Sequence, residues 1–366
     1  MIKDKYNFEV FSKKPIKLMS DSGEWLADFE LDLSDKQLKE FYYDMLFGRL
    51  LDERFGQLHR LGKVSFYAPS SGHEAAQIAI AKAIDWGHDW VFPYYRDNAL
   101  LYSSGVPIKD IMAQMLGTKL DPAKARQMPS HPSSKKLNMF TAASGIASHI
   151  PAAAGAAIAA KIRNKGEAVI TTSGEGATSE GDYHAGINFA GAQGAPIVFI
   201  VQNNGLAISV PYNKQSAAEN TSLKAHAYGM PGYYLDGMDI LACYYLMKDL
   251  LERARAGLGP ALVEMKVYRY GPHSPADDDM RYRSKEEVDA WRKKDPLLRM
   301  QKFLAKRKLW TKKQDIKMRQ EIELILDKAI NEAEAEGFAP LEWMFDDVFK
   351  DKPAHLLEQQ KMLLED

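Results

Sequence analysis

The chain has 366 residues, 46% of them apolar and 27% charged, with 48 Lys and Arg against 49 Asp and Glu for a net charge of -1. That composition is ordinary for a folded globular chain and excludes a disordered polymer, a collagen and a coiled-coil rod. The balanced charge leaves no electrostatic footprint for nucleic acid or an anionic membrane. The single cysteine, Cys243, excludes intrachain disulfides and cysteine-based metal centres. The length suits two to three domains, or one large α/β domain with appendages. The stretch Met1 to Lys5 has no secretory apolar run, and the most apolar segment, Pro151 to Ala160, is too short to span a bilayer. The expectation is a cytoplasmic protein.

Residues 1–33 show little periodicity but carry scattered aromatics, as an arm packed on something larger would. Ser34 is a helix N-cap, and Leu38, Phe41, Met45, Leu46 and Phe55 recur at helical steps up to the stop at Gly62. A second helix follows Gly72, a short strand spans 89–92, and a helix covers 107–116. Residues 121–143, rich in Pro, Ser and Lys, read as a long loop, and long loops in compact domains tend to be functional. The small-residue stretch 145–163 predicts a helix built for close packing. A strand at 168–172, a helix over 178–192 and a strand at 196–201 form a βαβ unit. A helix near 217–228, a strand at 233–235, a helix over 239–256 and a strand at 261–268 continue the alternation, which predicts an α/β fold with a mostly parallel sheet flanked by helices. Residues 34–295 form this α/β domain, and 296–366 a charged helical extension.

Three near-matches to familiar motifs fail. Gly174, Gly176 and Gly181 miss the dinucleotide spacing, because Ser179 stands where the third glycine is needed. Asp182 occupies the P-loop lysine position. In His73-Glu74-Ala75-Ala76-Gln77, a glutamine replaces the second zinc-binding histidine.

What remains is a constellation at strand ends. Glu175 follows the strand at 168–172, and Asn203-Asn204 follows the strand at 196–201. Ligands of open parallel sheets bind outside the carboxyl ends of the strands, so the two segments converge. A carboxylate with an amide oxygen suits Mg²⁺, which completes its shell with phosphate oxygens and water. Gly174 and Gly176 allow close backbone approach to an anion. The pattern reads equally as a Mg-diphosphate site or as a βα turn whose glycines serve geometry alone.

The run from Gly174 to Ala190, with Pro196 to Gln202 and Asn203 to Ser209, resembles the thiamine-diphosphate motif of 2-oxoacid dehydrogenases, in the alpha subunit of their decarboxylating first component. It is similar to the branched-chain type, which has Glu where pyruvate-type relatives usually have Asp. Phe92 to Arg96, Arg126 to His131, Ser144 to Pro151 and Tyr268 to Ser274 fall in family order. The resemblance implies a thiamine-diphosphate-binding fold and Mg²⁺ ligands at Glu175, Asn204 and the Leu206 carbonyl, where the family usually has Tyr. It implies cofactor contacts at Tyr95, Arg96, Ser144, Ile146, Gly174, Glu175, Gly176, Ala177, Asn204 and His273. His273 would be the catalytic histidine, and Phe66, Tyr95, Met128 and His131 the acyl pocket. The implied partners are a beta subunit, in a tetramer of two alpha and two beta chains, and a lipoyl-bearing dihydrolipoyl acyltransferase. The carboxylate that activates the cofactor would come from the beta chain. The implied reaction is oxidative decarboxylation of a 2-oxoacid such as 3-methyl-2-oxobutanoate. Alternatives are a pyruvate or acetoin enzyme and, in a different class, a nonenzymatic Mg-phosphate-binding protein. Taken alone, His273 reads as a surface histidine, Cys243 and most Met residues as core.

Overall fold

The computed structural model describes residues 6–365, so positions 1–5 of the expected arm lie outside the described residues. Helix α1 (Asp35–Arg60) opens with a full capping box, in which the Ser34 hydroxyl accepts from the Gln37 amide and the Gln37 side chain accepts from the Ser34 amide. Its stop matches the sequence, because Gly62 adopts φ 71°, a left-handed conformation that glycine takes without steric cost. Helix α2 (Glu74–Ala83), strand β1 (Trp90–Phe92), helices α3 (Asn98–Ser103) and α4 (Ile108–Leu116), and helix α5 (His149–Arg163) follow. Helix α5 starts four residues later than the small-residue pattern predicts. Residues 145–148 instead form a turn closed by the Ser148 hydroxyl donating to the Gly145 carbonyl at 2.6 Å.

The βαβ unit is present as strand β2 (Val169–Gly174), a 3₁₀ turn over Glu175–Ser179, helix α6 (Gly181–Gln193) and strand β3 (Ile197–Asn203). A two-residue hairpin follows, β4 (Leu206–Ala207) with β5 (Val210–Pro211). The expected helix near 217–228 is a 3₁₀ helix over Thr221–Tyr228, capped by the Asn220 side chain. Strand β6 (Gly232–Asp236), helix α7 (Ile240–Arg255) and strand β7 (Ala261–Lys266) complete a five-stranded sheet in the order β1-β2-β3-β7-β6. Every pairing in it is parallel. Because side chains alternate along a strand, the sheet has two apolar faces. Ala168, Ile170, Val198, Ile200, Val263 and Met265 face one core, shared with α1, α2 and α7. Val169, Ile197, Phe199, Val201 and Leu262 face the other, under α5 and α6.

Small residues on α5 and α6 allow that second layer to approach closely. A Cβ at Gly186 would lie 2.9 Å from the Pro151 nitrogen. The N-terminal arm runs along the β6 edge. Phe11 donates to the Gly232 carbonyl, and Ile16 pairs with Leu235. Buried Asp239 caps α7 and also accepts the amides of Leu18 and Met19 at 2.8 and 2.7 Å, so one carboxylate ties the arm to the domain. After α8 (Lys285–Arg292), helices α9 (Pro296–Lys306) and α10 (Lys312–Ala335) pack Leu297, Met300, Phe303, Ile322 and Leu326 into the same core as α1. Helix α11 (Ala354–Glu365) buries no residue. Among the described residues, no helix is long and apolar enough to cross a membrane.

Candidate active site

The register places Gly174 beside Gln202, so Glu175 and Asn204 leave adjacent strands at the carboxyl edge of the sheet. A cavity of about 480 Å³ opens there. Phe66, Tyr95, Arg96, Ser144, Ile146, Gly174, Glu175, Gly176, Ala177, Asn204, Leu206 and His273 line it. These residues come from six separated stretches of chain.

One pole of the cavity is acidic and oxygen-rich. Glu175 is fully buried. Its Oε2 accepts the Asn204 amide at 3.2 Å, whereas its Oε1 is buried with no partner. Burial raises its pKa above the usual carboxylate range. An ionised carboxylate with an orphaned buried oxygen is costly unless a cation or donor meets it. The Asn204 side-chain oxygen accepts the Leu206 amide at 3.2 Å, which orients it and leaves a second lone pair. Among the described residues, no group of three His, Cys, Asp or Glu is arranged to hold a metal. A cation at Glu175 would therefore take amide, carbonyl, phosphate or water oxygens as well, the habit of a hard ion such as Mg²⁺. Gly176 fits the crowding: a Cβ there would lie 2.9 Å from the Ala207 Cβ.

The other pole is basic. Arg96 and Arg269 are both buried. Arg96 donates to the Pro69 carbonyl, and to Nδ1 and the carbonyl of His273, both at 3.2 Å. Arg269 donates to Nδ1 of His273 at 3.4 Å, to the Ile208 carbonyl at 2.9 Å and to the Tyr282 hydroxyl at 3.0 Å. All these partners are neutral, and among the described residues neither guanidinium has a carboxylate at ion-pair distance. Two buried cations with no carboxylate at ion-pair distance can hold an anion, and the guanidinium fork suits phosphate. The cost appears in the neighbours. Burial lowers the pKa of Arg269, reinforced by Arg96. Burial and the two guanidiniums push His273 down to about 4. His273 is therefore neutral near pH 7, with Nδ1 accepting and the proton on Nε2. Its loop is held by its own amide, which donates to Asp277 at 2.7 Å. The Tyr95 ring stands edge-on to His273 at 6.2 Å and beneath the Arg96 guanidinium at 5.4 Å.

Two residues of the expected acyl pocket lie elsewhere. Met128 is 55% exposed and does not line the cavity. Its backbone is pinned by Gln114, whose side-chain amide donates to the Met128 carbonyl at 2.7 Å. His131 is buried behind the wall, with Nε2 hydrogen-bonded to the Ser144 hydroxyl and Nδ1 at 2.9 Å from the Pro129 carbonyl.

Sequence reasoning overlooked Arg269, although it follows a strand that pairs with β3 and so ends in the same crevice. The rule that found Glu175 would have found it. It also overlooked the β4–β5 hairpin, which supplies Ala207, Ile208 and Val210 to the cavity. Ile208 adopts φ 55°, an unfavourable conformation for a β-branched residue. Its carbonyl is held there by Arg269. Behind the wall, His73 is wholly buried with neither ring nitrogen hydrogen-bonded, and burial with Arg96 and Arg269 keeps it neutral.

Comparison with known proteins gives a consistent answer. The model of the family described as "Dehydrogenase E1 component" matches residues 42–342. The chain is 41% identical over 320 residues to the 2-oxoisovalerate dehydrogenase subunit alpha of Bacillus subtilis, covering 87% of this chain and 97% of that protein. It is 38% identical over 352 residues to the pyruvate dehydrogenase E1 component subunit alpha of Staphylococcus aureus, covering 96% and 92%. It is 36% identical over 351 residues to the mitochondrial 2-oxoisovalerate dehydrogenase subunit alpha 1 of Arabidopsis thaliana, covering 95% and 74%. A parallel sheet with an oxygen-rich pole and a paired-guanidinium pole at its carboxyl edge, and a family match over most of its length, make this chain a member of the dehydrogenase E1 component family, of the alpha-subunit type found in 2-oxoacid dehydrogenases.

Proposed function

We propose that the chain is the alpha subunit of a branched-chain 2-oxoacid dehydrogenase that binds thiamine diphosphate with Mg²⁺ and acts on 2-oxoacids such as 3-methyl-2-oxobutanoate. The observation that carries the cofactor reading is the opposition of charges across one cavity. The orphaned Glu175 oxygen offers a seat for a hard cation, and buried Arg96 and Arg269 offer counter-charge to a diphosphate. Glu175, Asn204 and the Leu206 carbonyl are the proposed metal ligands. When bound, thiamine diphosphate supplies the nucleophilic carbon and electron sink needed to release CO₂ from a 2-oxoacid.

The chain's own groups orient, neutralise and handle protons. The two guanidiniums bind the anionic end by charge-assisted hydrogen bonds. Gly174, Gly176 and Ala177 let backbone approach it, since larger side chains would close the gap. His273, neutral with its proton on Nε2, can donate a hydrogen bond to a developing oxyanion, and can take up and return a proton once a bound anion offsets the neighbouring guanidiniums, the role of a general acid–base. Buried walls exclude water from that exchange. The lip residues Ser144 and Ile146 are exposed in the single chain. That exposure suits a cavity completed by a beta subunit, which would also supply the activating carboxylate. The acyl product would pass to the lipoyl group of a partner acyltransferase.

The branched-chain preference rests on Glu175 in the motif and on the aromatic rings of Phe66 and Tyr95 in the cavity. Relatives named for 2-oxoisovalerate and for pyruvate stand at similar identity, so pyruvate is the second reading. The test is dye reduction by the assembly of this chain with its beta-type partner, supplied with Mg²⁺ and thiamine diphosphate. Faster turnover of 3-methyl-2-oxobutanoate than of pyruvate, lost without the cofactor, is expected. Faster pyruvate turnover would overturn the preference, and cofactor-independent turnover would overturn the cofactor.

A further inference from the structure

Strand β7 ends on Lys266, which pairs in register with Asn203 at the carboxyl edge of the sheet. Its side chain therefore lies beside the turn that carries two of the proposed metal ligands. Among the described residues its ammonium has one hydrogen-bond partner, Asn203 Oδ1 at 3.4 Å. A Cβ at Gly205, the residue between Asn204 and Leu206, would lie 3.3 Å from Lys266 Nζ. Lys266 and Glu175 lie close enough to shift each other's pKa. Burial lowers the pKa of Lys266, and the Glu175, Glu264 and Glu287 carboxylates oppose that fall and favour the ammonium. Glu264, on the same strand, is spent on other donors. It accepts the Asn203 side-chain amide at 2.7 Å and the backbone amides of Thr221 and Ser222. Lys266 does not line the cavity, so it acts on the cavity's contents by charge and not by contact.

A positive charge at the cation seat acts with opposite sign on the two components of the site. It repels a dication and attracts a phosphate. We propose that Lys266 sets the order in which the cavity fills: its ammonium disfavours a divalent metal that arrives alone and favours the anion first, the metal following once phosphate oxygens offset the charge. The proposal rests on the Mg-diphosphate reading and deepens it. Arg96 and Arg269 line the cavity and hold the anion directly. Lys266 stands at the metal end and touches neither component, so removing it changes the field at the seat and leaves every proposed ligand in place.

The test measures two affinities by calorimetry on the assembly of this chain with its beta-type partner: Mg²⁺ without phosphate, and inorganic pyrophosphate without metal. Lys266→Met keeps the aliphatic stem and removes the charge. It should bind Mg²⁺ alone about tenfold more tightly than wild type, and pyrophosphate alone about threefold more weakly, the scale of one screened unit charge. Lys266→Gln keeps a donor for Asn203 and lacks the charge. It should move both affinities in the same directions, and it serves if the Met variant folds poorly. Lys266→Arg keeps the charge and should show neither change. Opposite signs separate charge from fold, because a loosened metal turn would weaken both ligands together. Weakening of both ligands in the uncharged variants, or an Mg²⁺ affinity within about twofold of wild type, would overturn the proposal. Failure of the wild-type assembly to bind Mg²⁺ and pyrophosphate supplied together would overturn the Mg-diphosphate reading, and this proposal with it.

Discussion

Arg96 and Arg269 direct guanidinium nitrogens at the same atom, Nδ1 of His273, from 3.2 and 3.4 Å. Like charges converge this closely in a buried site only at a cost, and no carboxylate among the described residues stands at ion-pair distance from either, Glu175 and Asp277 acting on Arg269 only from farther away. An anion that joins later would explain the arrangement. Arg269→Gln removes one cation and should weaken thiamine diphosphate binding about 10- to 100-fold, since a hydrogen bond to a charged group contributes about 1.5–3 kcal/mol. The stabilisation that the cofactor adds to thermal unfolding should shrink accordingly. Titration with and without Mg²⁺ measures this, and an affinity within about twofold of wild type would remove Arg269 from the anion site.

The same two cations set the protonation of His273. Its folded pKa of about 4 lies below the ordinary 6.5. The unfolded chain therefore binds more protons there between pH 6.5 and 4, and stability falls as pH drops through that window. Binding a diphosphate neutralises the guanidiniums and raises the His273 pKa. Cofactor binding near pH 5 should then take up protons, detected by calorimetry in buffers of different ionisation enthalpy. His273→Gln should remove that uptake while keeping most of the affinity. Unchanged uptake in the variant would assign the proton to another group.

Glu175 makes the opposite trade between stability and function. Burial raises its pKa, so the ligand-free fold holds the ionised form less favourably than water does. Glu175→Gln keeps the shape and removes the charge. The ligand-free chain should unfold at the same temperature as wild type or higher, as expected when an uncompensated buried charge is replaced. Mg-dependent cofactor binding should be lost. Wild-type affinity in this variant would refute Glu175 as a metal ligand.

What the sequence shows of this site follows from the physics of each part. Buried parallel strands must be apolar runs, so β2 and β3 are legible, and the residues after them fall in the crevice of the sheet. Ser34 and Gly62 mark the ends of α1 because capping is local chemistry. Arg269 was legible by the same strand-end rule, but nothing in Tyr268-Arg269-Tyr270 announces a buried cation without a counter-charge. Helix α3 is too short for a period to register. The β4–β5 hairpin has strands of two residues and a strained Ile208 that only its tertiary contact to Arg269 explains. Met128 was ambiguous, because methionine suits a core, a pocket or a surface equally, and only the folded chain shows it largely exposed, with its carbonyl held by Gln114.

That placement yields a prediction about specificity. Phe66 lines the cavity, whereas Met128 is largely exposed outside it. An apolar wall discriminates substrates by about 1–3 kcal/mol per methylene, and only a wall that touches the acyl chain can do so. Phe66→Ala should therefore change the ratio of kcat/KM for 3-methyl-2-oxobutanoate over pyruvate by about tenfold or more. Met128→Ala should leave that ratio within about threefold of wild type, because truncating a residue that misses the chain removes binding energy from neither substrate. The two ratios, measured side by side on the assembled enzyme, decide the point. An equal shift from Met128→Ala would mean that the loop carrying it closes over the cavity when substrate and partner are bound, and that the acyl wall extends beyond Phe66 and Tyr95.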